Sequence, residues 1–496
     1  MSDTKSAERS LDPENWDALR DLGHRMVDDM LGYLEHVRER PIWQPVSAES
    51  RAALRQPLPR APEGAERAYG DFTEHVLPYP MGNIHPRFWG WVIGTGTPFG
   101  ALAEFLAATM NPNVGGGDHG ATYVEAQVLD WCKEMLGYPM EASGLLVSGG
   151  SMANLIGLAV ARNARAGYDV RRDGVRGAPG ELTVYGSAEI HSSIQKTVEL
   201  LGLGSGALRR IPVNDRFEID LGALESAIAR DKAAGCVPIA IVGSAGTVNT
   251  GAFDDLAALA RIAEREGIWY HVDGAFGAIA VLDPALRPRL AGMERADSIA
   301  FDLHKWMYVQ YEAGCILVRD AAAHRATFTL TPGYLARAHR GIAAGEVWPS
   351  DFGVELSRGF KALKIWMSFK ENGIDRFAAL VRQNVEQAQH LEQLVRSTPA
   401  LELLAPVPLN IVCFRYRGDG NTAEAELNAV NAEILVRLHE EAVAIPSTAT
   451  LGGRQAIRVA ISNHRTRRED LEALVQETVR IGDALMAEQP AVLAHR

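Results

Sequence analysis

Cysteine is scarce in this chain. Cys132, Cys236, Cys315 and Cys413 are the four in 496 residues, far apart and with no CxxC pair. That excludes a disulfide framework or a cysteine-based zinc site as the organising device and favours a reducing compartment. Long apolar runs are missing as well: no window reaches the roughly 18 continuous apolar residues that span a bilayer. The polar, acidic start, Met1 to Trp16, has no apolar signal-peptide core. A cytoplasmic address is expected from these absences. Positive charge is in deficit, with 50 Lys and Arg against 62 Asp and Glu and a formal net charge of -12. An acidic surface repels nucleic acid and anionic membranes, so neither is an expected partner. There is no internal repeat and no low-complexity tract.

What is present reads as a large α/β domain with appendages. The chain is too long for one ordinary core. Leu19, Leu22, Met26, Met30, Leu34 and Val37 recur at helical spacing over Asp17–Arg38, a stretch stopped by Pro41 and Pro45. Residues 57–82 read as an irregular arm with a short helix. From about residue 97, short apolar runs at 145–147, 182–185, 239–242, 269–272, 298–301 and 315–318 alternate with helical patterns such as Ser151–Ala164 and Asp254–Arg265. Strands apolar on both faces, alternating with helices, predict a mainly parallel sheet covered on both sides, with ligands beyond the carboxyl ends of its strands. Past about residue 375 a smaller α/β unit is expected, with helices at 377–396, 423–441 and 468–487 and strands at 409–416 and 456–461. The expected division is an N-terminal helical arm at 1–96, a large domain at 97–375 and a small domain at 376–496.

Four features carry chemistry. Asp302-Leu303-His304-Lys305-Trp306 follows the apolar run ending at Phe301; a lysine there is expected to be desolvated, with a lowered pKa and a nucleophilic amine. His271-Val272-Asp273-Gly274-Ala275 ends another apolar run, with Asp273 lying 32 positions before Lys305. A buried aspartate needs a partner, and a protonated pyridine nitrogen is one. Ser148-Gly149-Gly150-Ser151-Met152-Ala153-Asn154 is a Gly-rich turn between a strand and a helix, suited to a phosphate and neither Walker A nor GxGxxG. Glu189-Ile190-His191-Ser192-Ser193 places a histidine at a strand end, where its imidazole can stack on a flat ring. Singly, each has a plainer reading: a surface lysine, a helix cap, an ordinary turn, a structural histidine. Together they supply an aldehyde-reactive amine, a partner for a ring nitrogen, a phosphate cradle and a stacking face, the set that pyridoxal 5′-phosphate requires.

On these motifs the chain resembles the pyridoxal-phosphate-dependent group II decarboxylases, which include aromatic-L-amino-acid, histidine, glutamate and cysteine-sulfinate decarboxylases. The resemblance runs from the N-terminal helix to near the C-terminus, and the HVDGA and DLHKW motifs are highly specific to it. It implies a fold-type I (aspartate-aminotransferase-like) homodimer with active sites at the subunit interface. By position, Lys305 resembles the Schiff-base lysine, Asp273 the partner of the pyridine nitrogen and His191 the stacking histidine. Gly150 and Ser151 resemble part of the phosphate cradle, and His304 the histidine that contributes to phosphate and substrate contacts. Thr331-Pro332-Gly333-Tyr334 resembles the family's catalytic loop, with Tyr334 as proton donor. The family's Gly-Thr-Thr turn reads Gly246-Thr247-Val248 here; Thr247 is carried over as a cofactor contact, and the valine puts a threonine contact near the ring or substrate in question.

The same resemblance implies decarboxylation of an L-amino acid to its amine and carbon dioxide, with no metal. Tyr334 and His191 are the residues that related aldehyde synthases replace. Trp91 and Val92, in Phe88-Trp89-Gly90-Trp91-Val92, match pocket positions. Ser357 falls where plant aromatic decarboxylases carry Ser for phenolic or Gly for indolic substrates, so an aromatic substrate is expected. Asn111–Gly115 aligns with a stretch lent by the neighbouring subunit but is Gly-rich here. The alternatives are decarboxylation of glutamate, aspartate or cysteine sulfinate, for which Arg87 or Arg358 could face the side-chain carboxylate; an aldehyde synthase or aminotransferase; and a catalytically inactive binding protein, against which stand the retained Lys305 and Asp273.

Overall fold

The computed structural model describes residues 9–330, 338–345, 347–418, 420 and 422–492. They form two compact units, Met1–His85 and Pro86–Arg496.

In the first unit, the predicted N-terminal helix runs Trp16–Glu35, capped by the Asn15 side chain, which accepts from the Asp17 and Ala18 backbone N–H groups. It stops at His36, short of Arg38, and Val37–Glu39 tightens into a 3₁₀ turn. Two shorter helices, Ala48–Ala53 and Ala65–His75, complete the unit.

The second unit contains two sheets. Its strands in chain order are β1 (Phe88–Trp89), β2 (Ser143–Val147), β3 (Leu182–Ser187), β4 (Leu208–Ile211), β5 (Val237–Ser244), β6 (Trp269–Asp273), β7 (Ser298–Asp302), β8 (Gly314–Val318), β9 (Leu401–Leu403), β10 (Ile411–Tyr416), β11 (Ile445–Leu451) and β12 (Arg454–Ala460). The seven-stranded sheet has the order β2-β8-β7-β6-β5-β3-β4. Strands β3 to β7 are mutually parallel, and β8 runs antiparallel to both of its neighbours. All six apolar runs predicted as strands lie in this sheet. Helix Gly150–Arg165 packs across β5 to β8 and buries Ala153, Ile156 and Leu158. The second sheet, β1-β11-β12-β10-β9, is closed off by β1, which enters parallel to β11 with Phe88 opposite Ile445. Helices Ile374–Ser397, Glu424–Glu440 and Arg468–Val492 accompany this sheet, near the expected bounds.

Because β6 and β7 are adjacent and parallel, with Asp273 opposite Ala300, their carboxyl ends deliver Asp273 and Asp302 to the same edge of the sheet. Strand β8 returns beside β7 and brings Gly314 against the turn that follows β2. A Cβ on Gly314 would lie 2.5 Å from the Cα of Gly149, so the two backbones touch and a side chain is sterically excluded.

Candidate active site

At this edge a cleft of about 430 Å³ is lined by Ser148, Gly149, Gly150, Ser151, Asn154, His191, Ser193, Asp273, Asp302, His304, Lys305 and Tyr311. Six of the residues singled out in the sequence, Gly150, Ser151, His191, Asp273, His304 and Lys305, are thus brought together from four separate segments. Gly149 and Gly150 open the 16-residue helix Gly150–Arg165, whose first N–H groups and dipole make an anion site at the cleft wall.

Lys305 lies in the short helix Leu303–Trp306. Its Nζ is 2.9 Å from Oδ2 of Asp302, a residue that is itself 1% exposed. Here the expectation of a lowered pKa is corrected. Burial does push Lys305 down, but the attraction of Asp302, its hydrogen bond and the more distant Asp273 outweigh it, and the net shift is upward. The other carboxylate oxygen, Oδ1 of Asp302, is buried without a hydrogen-bond partner. His304 accepts from the Ala313 backbone N–H at Nδ1, 3.1 Å away, so a neutral ring carries its proton on Nε2, which lies 3.8 Å from Asp302. Burial, the largest influence, lowers the His304 pKa to about 4. Tyr311, a residue that the sequence reading passed over, packs at a tilt of 35° against His304 with ring centroids 4.3 Å apart and receives the Gly94 backbone N–H on its hydroxyl.

Asp273 Oδ1 accepts from the Ala275 backbone N–H at 3.2 Å and Oδ2 from Asn154 Nδ2 at 3.0 Å. His191 caps the helix Ser192–Leu200, with Nδ1 accepting the Ser193 backbone N–H at 3.2 Å and lying 2.8 Å from Ser193 Oγ. Its pKa is lowered, first by burial, with Asp273 opposing.

Among the described residues, the remaining sequence candidates do not line this cleft. Thr247 is buried, and its hydroxyl serves its own turn: it accepts from the Ala252 N–H and pairs with Thr250. Val92 is packed in the core. Trp91 is 56% exposed with a left-handed φ of 53°, its carbonyl held by Arg458. Ser357 is exposed. Thr331 to Tyr334 lie outside the described residues. Arg358, a candidate for binding an acidic side chain, is almost wholly buried; it pairs with Glu125 and donates to the carbonyls of Val114 and Leu146.

The site fits pyridoxal phosphate. A Cβ on Gly150 would sit 3.0 Å from Asp302 Oδ2 and one on Gly149 3.2 Å from His304, so side-chain-free backbone is what opens the cradle. The primary amine, the carboxylate and the imidazole face the same space, and its volume lies in the usual range of ligand pockets.

The comparisons agree. The family profile described as "Pyridoxal-dependent decarboxylase conserved domain" matches residues 48–417. The aromatic-L-amino-acid decarboxylase of Bacillus atrophaeus is 30% identical over 477 residues, covering 96% of this chain and 97% of that protein. Tyrosine decarboxylase 4 of Petroselinum crispum is 30% identical, covering 97% and 95% respectively. The crystal structure of Oryza sativa TDC with PLP and tryptamine superposes with a TM-score of 0.89 at 27% identity, over 96% of this chain and all of that one. The fold is therefore the fold-type I architecture of pyridoxal-phosphate enzymes. The chain belongs to the pyridoxal-dependent decarboxylases and is an amino-acid decarboxylase that uses pyridoxal phosphate.

Proposed function

We propose that this enzyme decarboxylates an aromatic L-amino acid to its amine, with Lys305 as the covalent anchor of the cofactor. The observation that carries this reading is the convergence of Lys305, Asp273, His191 and the Ser148–Ser151 turn on one cleft. When bound, the cofactor supplies an electron sink for the pair left behind by carbon dioxide. The protein's own residues do the rest. The Gly150–Ser151 end of the helix would take the phosphate, and His191 would hold the ring face. Asp273 would accept a hydrogen bond from the ring nitrogen, and His304 would contact phosphate and substrate. Lys305 must give up its proton before its amine can react, and Asp302 is the group that holds that proton. Tyr334 returns a proton to Cα.

An aromatic side chain is supported by the relatives' activities and by the commitment of Arg358 to Glu125, which removes one of the two cations an acidic substrate would have used. The test is to incubate cofactor-loaded protein with each of the twenty amino acids and score carbon dioxide, amine, keto acid, and aldehyde with peroxide. Amine from an aromatic substrate is expected; keto acid alone, or amine from glutamate or aspartate alone, would overturn the reading. Lys305→Ala is expected to abolish the visible absorption of the lysine-bound cofactor.

A homodimer in the cytoplasm is the proposed working form. Trp16, Leu19, Met26, Val27 and Leu31 on one helix, and Phe105, Leu106 and Met110 on another, are exposed, and apolar surface of this kind is normally covered by a partner. The four free cysteines suit a reducing compartment. Light scattering should give twice the chain mass; a monomer at micromolar concentration would sink the dimer.

A further inference from the structure

Behind the cleft a single line of hydrogen bonds runs from Trp269 to His191, and its direction can be deduced. Asn154 is buried at the first turns of helix Gly150–Arg165. Its Nδ2 lies 3.0 Å from Asp273 Oδ2 and 3.0 Å from Ser193 Oγ, and its Oδ1 lies 2.8 Å from His271 Nε2. The amide cannot be turned over, because Oδ1 would then face a carboxylate oxygen with no proton between them. The oxygen therefore points at His271, and Nε2 of that ring must carry a proton. His271 Nδ1 is then an acceptor for the Ser298 hydroxyl at 2.8 Å, and Ser298 in turn accepts the Trp269 indole N–H at 2.8 Å. In the other direction Ser193 Oγ, having accepted from Asn154, donates to His191 Nδ1.

We propose that Asn154 is a positioning residue for the decarboxylation site: its amide, oriented by Asp273, sets the proton position on His271 and makes Asp273 an acceptor only on the side away from the cleft. Neither end of the line is free to reverse. Trp269 is an obligate donor, and the Ser193 backbone N–H, 3.2 Å from His191 Nδ1, can only donate. His271 is fully buried, and burial lowers its pKa to about 4, so its ring is neutral and must choose one nitrogen. The helix leaves room for it at Gly157, where a Cβ would stand 2.7 Å from His271 Cε1. The consequence for chemistry is directional. Asp273 receives a hydrogen bond from Asn154 and cannot pass a proton into the network, so any proton it shares with a ligand stays on the cleft side. This deepens the reading of Asp273 and His191 given above and rests on it for its consequence, though not for its test.

The test reads tautomers by long-range ¹H–¹⁵N correlation of histidine-labelled full-length protein, without and with pyridoxal phosphate, assigned by single-site variants. Both His271 and His191 are expected to be neutral with the proton on Nε2. In Asn154→Leu, His271 is expected to lose that preference, while His191, still held by the Ser193 N–H, keeps it and reports that the fold is intact. Cofactor affinity is expected to fall on the order of tenfold, as when outer partners of a metal ligand are removed. If Asn154→Leu does not fold, Ser298→Ala interrogates the same line from its far end. There His271 should stay protonated on Nε2, because Asn154 still dictates it; a shift to Nδ1 would assign control to Ser298 and overturn the proposal. A proton on Nδ1 of His271 in the unsubstituted protein overturns it outright. So does an Asn154→Leu protein with the His271 tautomer unchanged and cofactor affinity within twofold. Expected tautomers in a chain that takes up no pyridoxal phosphate would support the network and defeat the cofactor reading instead.

Discussion

At the residue scale, Asp302 is the side chain whose charge acts most strongly on Lys305, the proposed anchor of the cofactor. It lies three residues before Lys305, is almost fully buried, and holds the ammonium at 2.9 Å. Because the folded-state pKa of Lys305 is raised, the pair contributes stability at neutral pH that is lost as pH rises through that value. The same pair should slow cofactor capture, since only the free amine reacts. In Asp302→Asn the pH profile of the capture rate, followed by visible absorption in a stopped-flow instrument, is expected to move to lower pH. A profile that does not move would mean that Asp302 does not control the Lys305 proton. Lys305, Asp273 and His191 were legible because each ends a short apolar run and falls in a distinctive motif. The partners of those residues were not. Asn154 and His271 lie 117 positions apart, and no local pattern announces a hydrogen bond between a helix interior and a strand. Nor did the sequence indicate that Asp302 would reverse the expected direction of the Lys305 shift.

At the element scale, close backbone contact holds the Ser148–Ser151 turn, the proposed phosphate cradle, in place. Gly314→Ala would drive a methyl group into Gly149, and neither is a flexible side-chain end that could swing aside. Overpacking of this kind costs about 1–3 kcal/mol or more, and the displaced turn should weaken pyridoxal phosphate binding measurably. Titration of the cofactor alongside thermal melting checks both; full affinity in the variant would show that the turn tolerates displacement. The Glu125–Arg358 pair plays a similar part, tying helix Gly120–Leu136 to the carbonyls of Val114 and Leu146. Glu125→Gln leaves a buried guanidinium without its counter-charge and is expected to cost about 3–5 kcal/mol in denaturant unfolding. The six strands read from the sequence in the large sheet are apolar on both faces, and the two read near 409–416 and 456–461 correspond to β10 and β12. Those missed have other signatures: β4 carries Arg209 and Arg210, β1 and β9 are two and three residues long, and β11 carries Ser447, Thr448 and Thr450 with a proline near its start. Such strands are defined by the neighbours they pair with more than by their composition.

At the scale of the whole molecule, several imidazoles are folded away neutral. Burial lowers His271, His304, His324 and His464 to about 4 each, whereas the unfolded chain protonates near 6.5. Their contribution to stability is therefore fully present above about pH 6.5 and is lost as pH falls toward 4, on the order of a few kcal/mol per residue. Asp254, raised by burial to about 6, and Asp297, also raised by burial, have the opposite sign, but they are two groups against four. The melting temperature is expected to fall steeply between pH 6.5 and pH 4; a flat profile across that window would show that these rings are not neutral in the folded state.

The pairing of β1 with β11 has a consequence in time. Trp89 is buried against the C-terminal elements, yet the strand it lies beside is made roughly 350 residues later, a wait of roughly 20 to 70 seconds at ribosomal speed. During that interval the Phe88–Trp89 segment has no edge to join, so the nascent chain carries an adhesive spot that only its own completion can cover. Ribosome-stalled chains ending before residue 445 should bind trigger-type chaperones through this segment, and release should coincide with emergence of β11 and β12. Order of synthesis thus imposes on this molecule a period of dependence that its finished form no longer displays.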